Sequence, residues 1–141
     1  MKKVVFLLIG FLIFSCKSQQ YKLETESDLS LKEGSYTVIP PAIKEGKSSV
    51  RVFMILNDFD STIKLNGFYF RGKFVEYKDN NNPNLLEGSI IMDELASEIP
   101  FDLEQNDVVI AYNQKSKRKF VKFKLKRKTN SLNNIPMENN N

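Results

Sequence analysis

The sequence contains no histidine and no tryptophan, and its only cysteine is Cys16. No Ser-His-Asp or Cys-His constellation can therefore be assembled, no imidazole can ligate a metal, and one thiol cannot build a structural zinc site. An intrachain disulfide is equally impossible. Gly-x-Ser-x-Gly and glycine-rich phosphate loops are missing as well. Catalysis would have to use a Ser-Lys arrangement or paired carboxylates, for which Glu76, Asp93, Glu94 and Glu98 are at hand. The segments around Asp58, Asp60 and Asp79 lack the fixed glycine and terminal glutamate of a calcium loop, and Asx turns account for both. The expectation is a protein that is not an enzyme and carries no cofactor or metal. A length of 141 residues fits one domain.

What is present begins with an address. Lys2 and Lys3 precede an apolar run of eleven residues, Val4 to Phe14. As a helix that run is about 16 Å long, against a bilayer core of roughly 30 Å, so it reads as the apolar region of a signal peptide (1–15) and not as a span. It ends in Ile13-Phe14-Ser15-Cys16. This string resembles a bacterial lipobox, in which a small residue precedes a cysteine that is lipidated and becomes the mature N-terminus. The resemblance implies a diacyl or triacyl anchor on Cys16, and two acyl chains already anchor stably. Cys16-Lys17-Ser18-Gln19-Gln20, with the Asn- and Lys-rich composition, is similar to lipoproteins of flavobacteria and other Bacteroidetes. In those bacteria, surface-displayed lipoproteins carry acidic residues directly after the cysteine. Here the first carboxylate is Glu24 and position 17 is not aspartate. The resemblance therefore implies the outer membrane, on its periplasmic face more than on the cell surface.

Residues 16–33 are polar and charged, with no apolar face of useful width, and are expected to form a flexible tether holding the domain off the membrane. Residues 129–141 hold six asparagines and are expected to be a disordered tail. Between them, residues 34–128 read as strands. Ser49–Asn57 places Val50, Val52, Met54 and Leu56 on one face, with Phe53 and Ile55 on the other, as in a central strand. Asn66-Gly67, between Ile63-Lys64-Leu65 and Phe68-Tyr69-Phe70, matches a type I′ hairpin turn. The second arm is expected to continue to Tyr77, with Gly72 at a bulge. Shorter strands are expected at Ser35–Ile39 and Gly88–Met92, with an extended piece at Ile99–Leu103 and a helical turn at 93–98. A final hairpin joins Asp107–Tyr112 to Arg118–Arg127. About eight strands and no long helical period predict an all-β fold, a small antiparallel β-sandwich, with a closed β-barrel as the alternative.

Two constellations could carry binding. Between Lys115 and Lys128 there are nine Lys or Arg and no acid, while residues 16–114 have ten basic and sixteen acidic side chains. On a strand, Lys122, Lys124, Lys126 and Lys128 share a face at spacings of about 7 Å. Such a row suits phosphates or carboxylates, each Lys near an anionic surface contributing about 1 kcal/mol. It equally suits an exposed strand that lysines protect from sheet-to-sheet aggregation. The hairpin supplies the second: Tyr69, Arg71 and Tyr77 on one face form a candidate recognition surface, with Phe68, Phe70 and Phe74 facing the core.

These observations point to a lipid-anchored, periplasm-facing β domain with a non-catalytic binding or structural role. Its expected partners are the membrane through Cys16, and anionic lipid, lipopolysaccharide, glycan or an acidic protein through Lys122, Lys124 and Lys126. Nucleic acid is excluded by the export signal. The alternatives are a barrel-type carrier or sensor of a small apolar ligand and, third, a glycan-active enzyme with paired carboxylates.

Overall fold

The computed structural model describes residues 21–92 and 98–129. The apolar run 4–14 expected to be a signal, Cys16, nearly all of the Asn-rich segment 129–141 and most of the helical turn expected at 93–98 lie outside them. Among the described residues the chain is all-β, with eight strands: β1 (Leu31–Ile39), β2 (Ser49–Leu56), β3 (Ile63–Phe70), β4 (Lys73–Glu76), β5 (Leu85–Ile91), β6 (Asp107–Gln114), β7 (Lys117–Lys124) and β8 (Lys126–Arg127). They form two open four-stranded sheets, β5-β2-β1-β8 and β4-β3-β6-β7. This is the expected sandwich. The closed barrel in which an apolar ligand would have been carried is not formed.

The main core lies between the sheets. Val50, Val52, Met54 and Leu56 of β2 alternate with less buried residues and face Phe68, Phe70, Val108, Ile110 and Tyr112 of the second sheet. The period-2 pattern puts all four on one side because successive side chains of a strand point to opposite faces. As expected, β2 is interior to its sheet, paired with both β1 and β5. The strand buried on both faces, however, is β6, whose first six residues are all buried.

The Asn66-Gly67 hairpin is not formed. β3 runs straight through it, pairing with β6 from Ile63 to Phe70, with a register shift between Leu65 and Gly67. Asn66 is the extra residue of a β-bulge. The bulge brings odd-numbered Ile63 and Leu65 and even-numbered Phe68 and Phe70 onto the same face. The hairpin turn is at Arg71-Gly72, with φ of 48° and 75°, between the paired residues Phe70 and Lys73. Two successive positive φ values are the signature of a type I′ loop. The β6–β7 turn has the same form at Lys115 and Ser116, with φ of 49° and 62° and no glycine.

The tether also needs correction over residues 21–33. Leu29 is 2% exposed, and β1 begins at Leu31. Leu23 makes a parallel bridge to Phe120, and the Glu24 N–H donates to the Phe120 carbonyl at 2.7 Å. Ser27 Oγ and Tyr112 Oη share a hydrogen bond of 3.0 Å. Leu23 joins a second, smaller core on the outer face of the second sheet, where Phe101, Val109, Ala111 and Phe120 are buried with Tyr69 and Leu103 against them. The extended piece at Ile99–Leu103 forms no strand. It lies across the outer face and inserts Phe101, which is why β6 is buried on both sides.

Candidate functional site

β7 does not continue as one long basic strand. It ends at Lys124, Leu125 turns into the core, and β8 then pairs in parallel with β1 in the other sheet, Ser35 opposite Lys126 and Tyr36 opposite Arg127. The corner breaks the expected row of lysines in two. Lys122 and Lys124 stay on the outer face of the second sheet, while Lys126 and Lys128 flank the edge of the first.

The first pair is engaged by carboxylates. Lys122 Nζ is 3.7 Å from Asp107 Oδ2, and Lys124 Nζ is 3.9 Å from Asp107 Oδ1 and 2.7 Å from Glu104 Oε2. Asp107 is 1% exposed, and its Oδ2 also accepts the Glu104 N–H at 3.0 Å. A carboxylate this deeply buried needs compensating charge, and the two lysines supply it. The hydrogen bond to Glu104, together with the charges of Glu104 and Asp107, raises the pKa of Lys124. Lys122 is thus part of the fold's own charge balance and stands outside the groove described next.

The corner creates something the sequence did not suggest. A groove of about 350 Å³ opens between β1 and the β7–β8 corner, lined by Leu31, Lys32, Glu33, Gly34, Ser35, Lys124, Lys126 and Lys128. Four lysines and one glutamate line it, with the Lys124 ammonium held by Glu104 and Asp107. Lys128 Nζ donates to Glu33 Oε1 at 2.9 Å, and that contact pulls the Glu33 carboxyl below its ordinary value. Lys32 and Lys126 have no carboxylate partner among the described residues. Lys32 is the residue at which the β1–β2 register shifts. Gly34 matters for space: a Cβ there would stand 2.6 Å from Leu31 Cδ2 and 2.7 Å from Leu125 Cδ2. These leucines close beneath the groove and couple its shape to the core.

Chemically the groove can hold a multiply charged anion. Its lysines are exposed point charges with long stems, suited to phosphate or carboxylate oxygens without the planar selectivity that arginine brings. Of the residues expected to bind anions, Lys124 and Lys126 are brought together here and Lys122 is not. Lys32 and Lys128 complete the site. Lys128 belonged to the expected row; Lys32 was hidden by the reading of residues 16–33 as tether, although Leu29 and Leu31 alternating with Ser30 and Lys32 carry the strand period.

The expected surface of Tyr69, Arg71 and Tyr77 does not exist as one face. With the turn at Arg71-Gly72, Tyr69 pairs with Phe74 on the outer side, their ring centroids 4.7 Å apart. Tyr77 packs against the main core instead, and burial, with Asp79 nearby, pushes its phenol up. Arg71 lies over the Tyr36 ring at 4.9 Å and donates toward the Gln105 carbonyl at 3.4 Å. The three side chains serve three different packing contacts.

Asx turns account for the acidic loops as expected. The Thr62 N–H donates to Asp60 Oδ1 at 2.7 Å, and Asn80 and Asn82 accept from backbone N–H groups two residues on. Of the carboxylates considered for catalysis, Asp93 and Glu94 lie outside the described residues. Cys16 does too. Compared with protein-family models, curated proteins and solved structures, the chain matches none.

Proposed function

We propose that this chain is a lipid-anchored β-sandwich of the outer membrane, facing the periplasm, whose role is non-catalytic binding of an anionic envelope component. The observation that carries the reading is the corner groove, where Lys32, Lys124, Lys126 and Lys128 surround about 350 Å³ with Glu33 as the only acid in the lining. Among the described residues Lys32 and Lys126 have no carboxylate partner, so an arriving phosphate or carboxylate displaces no ion pair described there. The lipobox resemblance at Ile13–Cys16 supports the location, which puts anionic envelope components within reach.

Binding through exposed lysines is electrostatic, and salt weakens it as the Debye length falls from about 14 Å at 50 mM to about 7 Å at 200 mM. The test is co-sedimentation of the soluble chain from Gln20 onward with lipopolysaccharide, with anionic vesicles and with neutral vesicles. The wild type is expected to pellet with one or both anionic targets, and Lys32→Glu/Lys126→Glu to stay in the supernatant. Equal recovery with anionic and neutral vesicles, or an unaffected double variant, sinks the groove as the binding site. Separately, Cys16→Ser is expected to leave an unprocessed or soluble protein. If it still fractionates with the outer membrane, the anchor is elsewhere.

A further inference from the structure

We infer that the layer covering the outer face of the second sheet, with Tyr21 and Phe74 exposed at its two ends, is seated directly on the bilayer that holds the anchor. The inference rests on lipidation at Cys16 as proposed above and adds an orientation to it.

Five residue steps separate Cys16 from Tyr21. A fully extended chain covers at most about 3.6 Å per residue, so the anchor lies within about 18 Å of the Tyr21 backbone. A domain of about 100 residues has a radius of gyration of about 13 Å. The connector is therefore shorter than the domain is wide. It cannot let the side of the domain opposite Tyr21 rest on the bilayer.

Tyr21 is held to that face. Its ring is 5.6 Å from Phe120 and stands edge-on to Phe101 at 6.1 Å. Two residues on, Leu23 and Glu24 are fixed to Phe120 through the parallel bridge and the 2.7 Å backbone hydrogen bond. The docked segment thus converts the anchor position into an orientation of the whole sandwich.

The side chains on this face suit a headgroup region. Tyr21 and Phe74, 40% and 42% exposed, are two of four large apolar side chains that stand exposed among the described residues. They mark the two ends of one aromatic strip, in which Tyr69 contacts Phe74 at 4.7 Å and Phe101 at 5.2 Å, and Phe101 contacts Phe120 at 5.2 Å. The Arg118 guanidinium lies 5.6 Å over the Phe120 ring. Arg118, Phe120 and Lys122 alternate with core residues along β7 and so share the outer face. Exposed aromatic rings with a cation such as Arg118 on the same face suit a surface that rests on an anionic bilayer. The other two exposed apolar residues, Ile43 and Ile91, lie in the β1–β2 connection and on β5 of the first sheet. They serve as internal controls.

The chain has no tryptophan, so one introduced indole is a unique probe. Tyr21→Trp, Phe74→Trp, Ile43→Trp and Ile91→Trp are made in the full lipidated chain. Each is reconstituted into vesicles of phosphatidylethanolamine and phosphatidylglycerol with bromine on the acyl carbons nearest the headgroup. Flotation reads the anchor and fluorescence quenching reads the orientation. The expected result is that all four variants float, that Tyr21→Trp and Phe74→Trp lose most of their emission, and that Ile43→Trp and Ile91→Trp keep theirs. The two outer-face probes are independent, so a folding defect in one leaves the other to decide. Floating protein quenched equally at all four positions, or most at Ile43 or Ile91, overturns the seated face and leaves the anchor standing. Protein that does not float overturns the anchor, and the seated face with it.

Discussion

Gly67→Ala is the sharpest perturbation of the fold. Gly67 has φ of 151°, and a Cβ there would run into the Val75 carbonyl oxygen and stand 2.7 Å from Phe74 Cζ. The first obstacle is backbone of the paired strand β4, so it cannot step aside as a side chain would. Backbone conformations at positive φ cost an L-residue about 1–2 kcal/mol. Forcing an extra carbon into a filled site adds about 1–3 kcal/mol. The sum is centred on about 3.5 kcal/mol, and at roughly 4 °C per kcal/mol the melting temperature falls by more than about 10 °C. Gly72→Ala is the matched control. At φ of 75° in an open two-residue turn it bears the conformational cost alone, about 1 kcal/mol or a few degrees. The assay is thermal unfolding of the two variants beside the parent, followed by circular dichroism. If Gly67→Ala melts no lower than Gly72→Ala, the continuous β3 with its bulge at Asn66 is wrong.

Other variants test other parts. Leu29→Ala removes a 2% exposed side chain and is expected to cost about 2–5 kcal/mol in urea unfolding, whereas a residue in a loose tether would be silent. Lys115→Asn/Ser116→Gly supplies the residues that the type I′ geometry favours and is expected to stabilise by about 1 kcal/mol; a lowered melting temperature contradicts the positive φ values there. Lys128 lowers the Glu33 carboxyl pKa, so the pair's contribution is present above the unfolded-state pKa and lost as pH falls through the lower folded one. Lys128→Ala should move the Glu33 titration, followed by carboxyl NMR, upward into the usual range, and no movement refutes the pairing.

The apolar strand β2 was legible in the sequence. Val50, Val52, Met54 and Leu56 alternate cleanly, and β2 lies where that alternation places it. Asp107 to Tyr112 is apolar on both sides, and burial on both faces required a cover that local sequence does not reveal: Phe101, arriving from an irregular segment. The Asn66-Gly67 error has a definite cause. A two-residue turn and a one-residue bulge both align Leu65 with Phe68, and only the long-range pairing of β3 with β6 separates them. That error carried Tyr69, Arg71 and Tyr77 with it, because the position of the turn decides which residues share a face. The basic segment was visible as composition, but its fate was not. Leu125 turns the chain from one sheet to the other, and the groove needs Lys32 from a strand about ninety residues earlier in sequence.

The most direct measurement is amide chemical-shift mapping of the soluble chain titrated with inorganic phosphate and then with a phosphorylated lipopolysaccharide fragment. The groove as binding site predicts saturable shifts confined to residues 31–35 and 124–128, fading as salt rises and absent in Lys32→Glu/Lys126→Glu. Shifts centred anywhere else, or none with either ligand, contradict it.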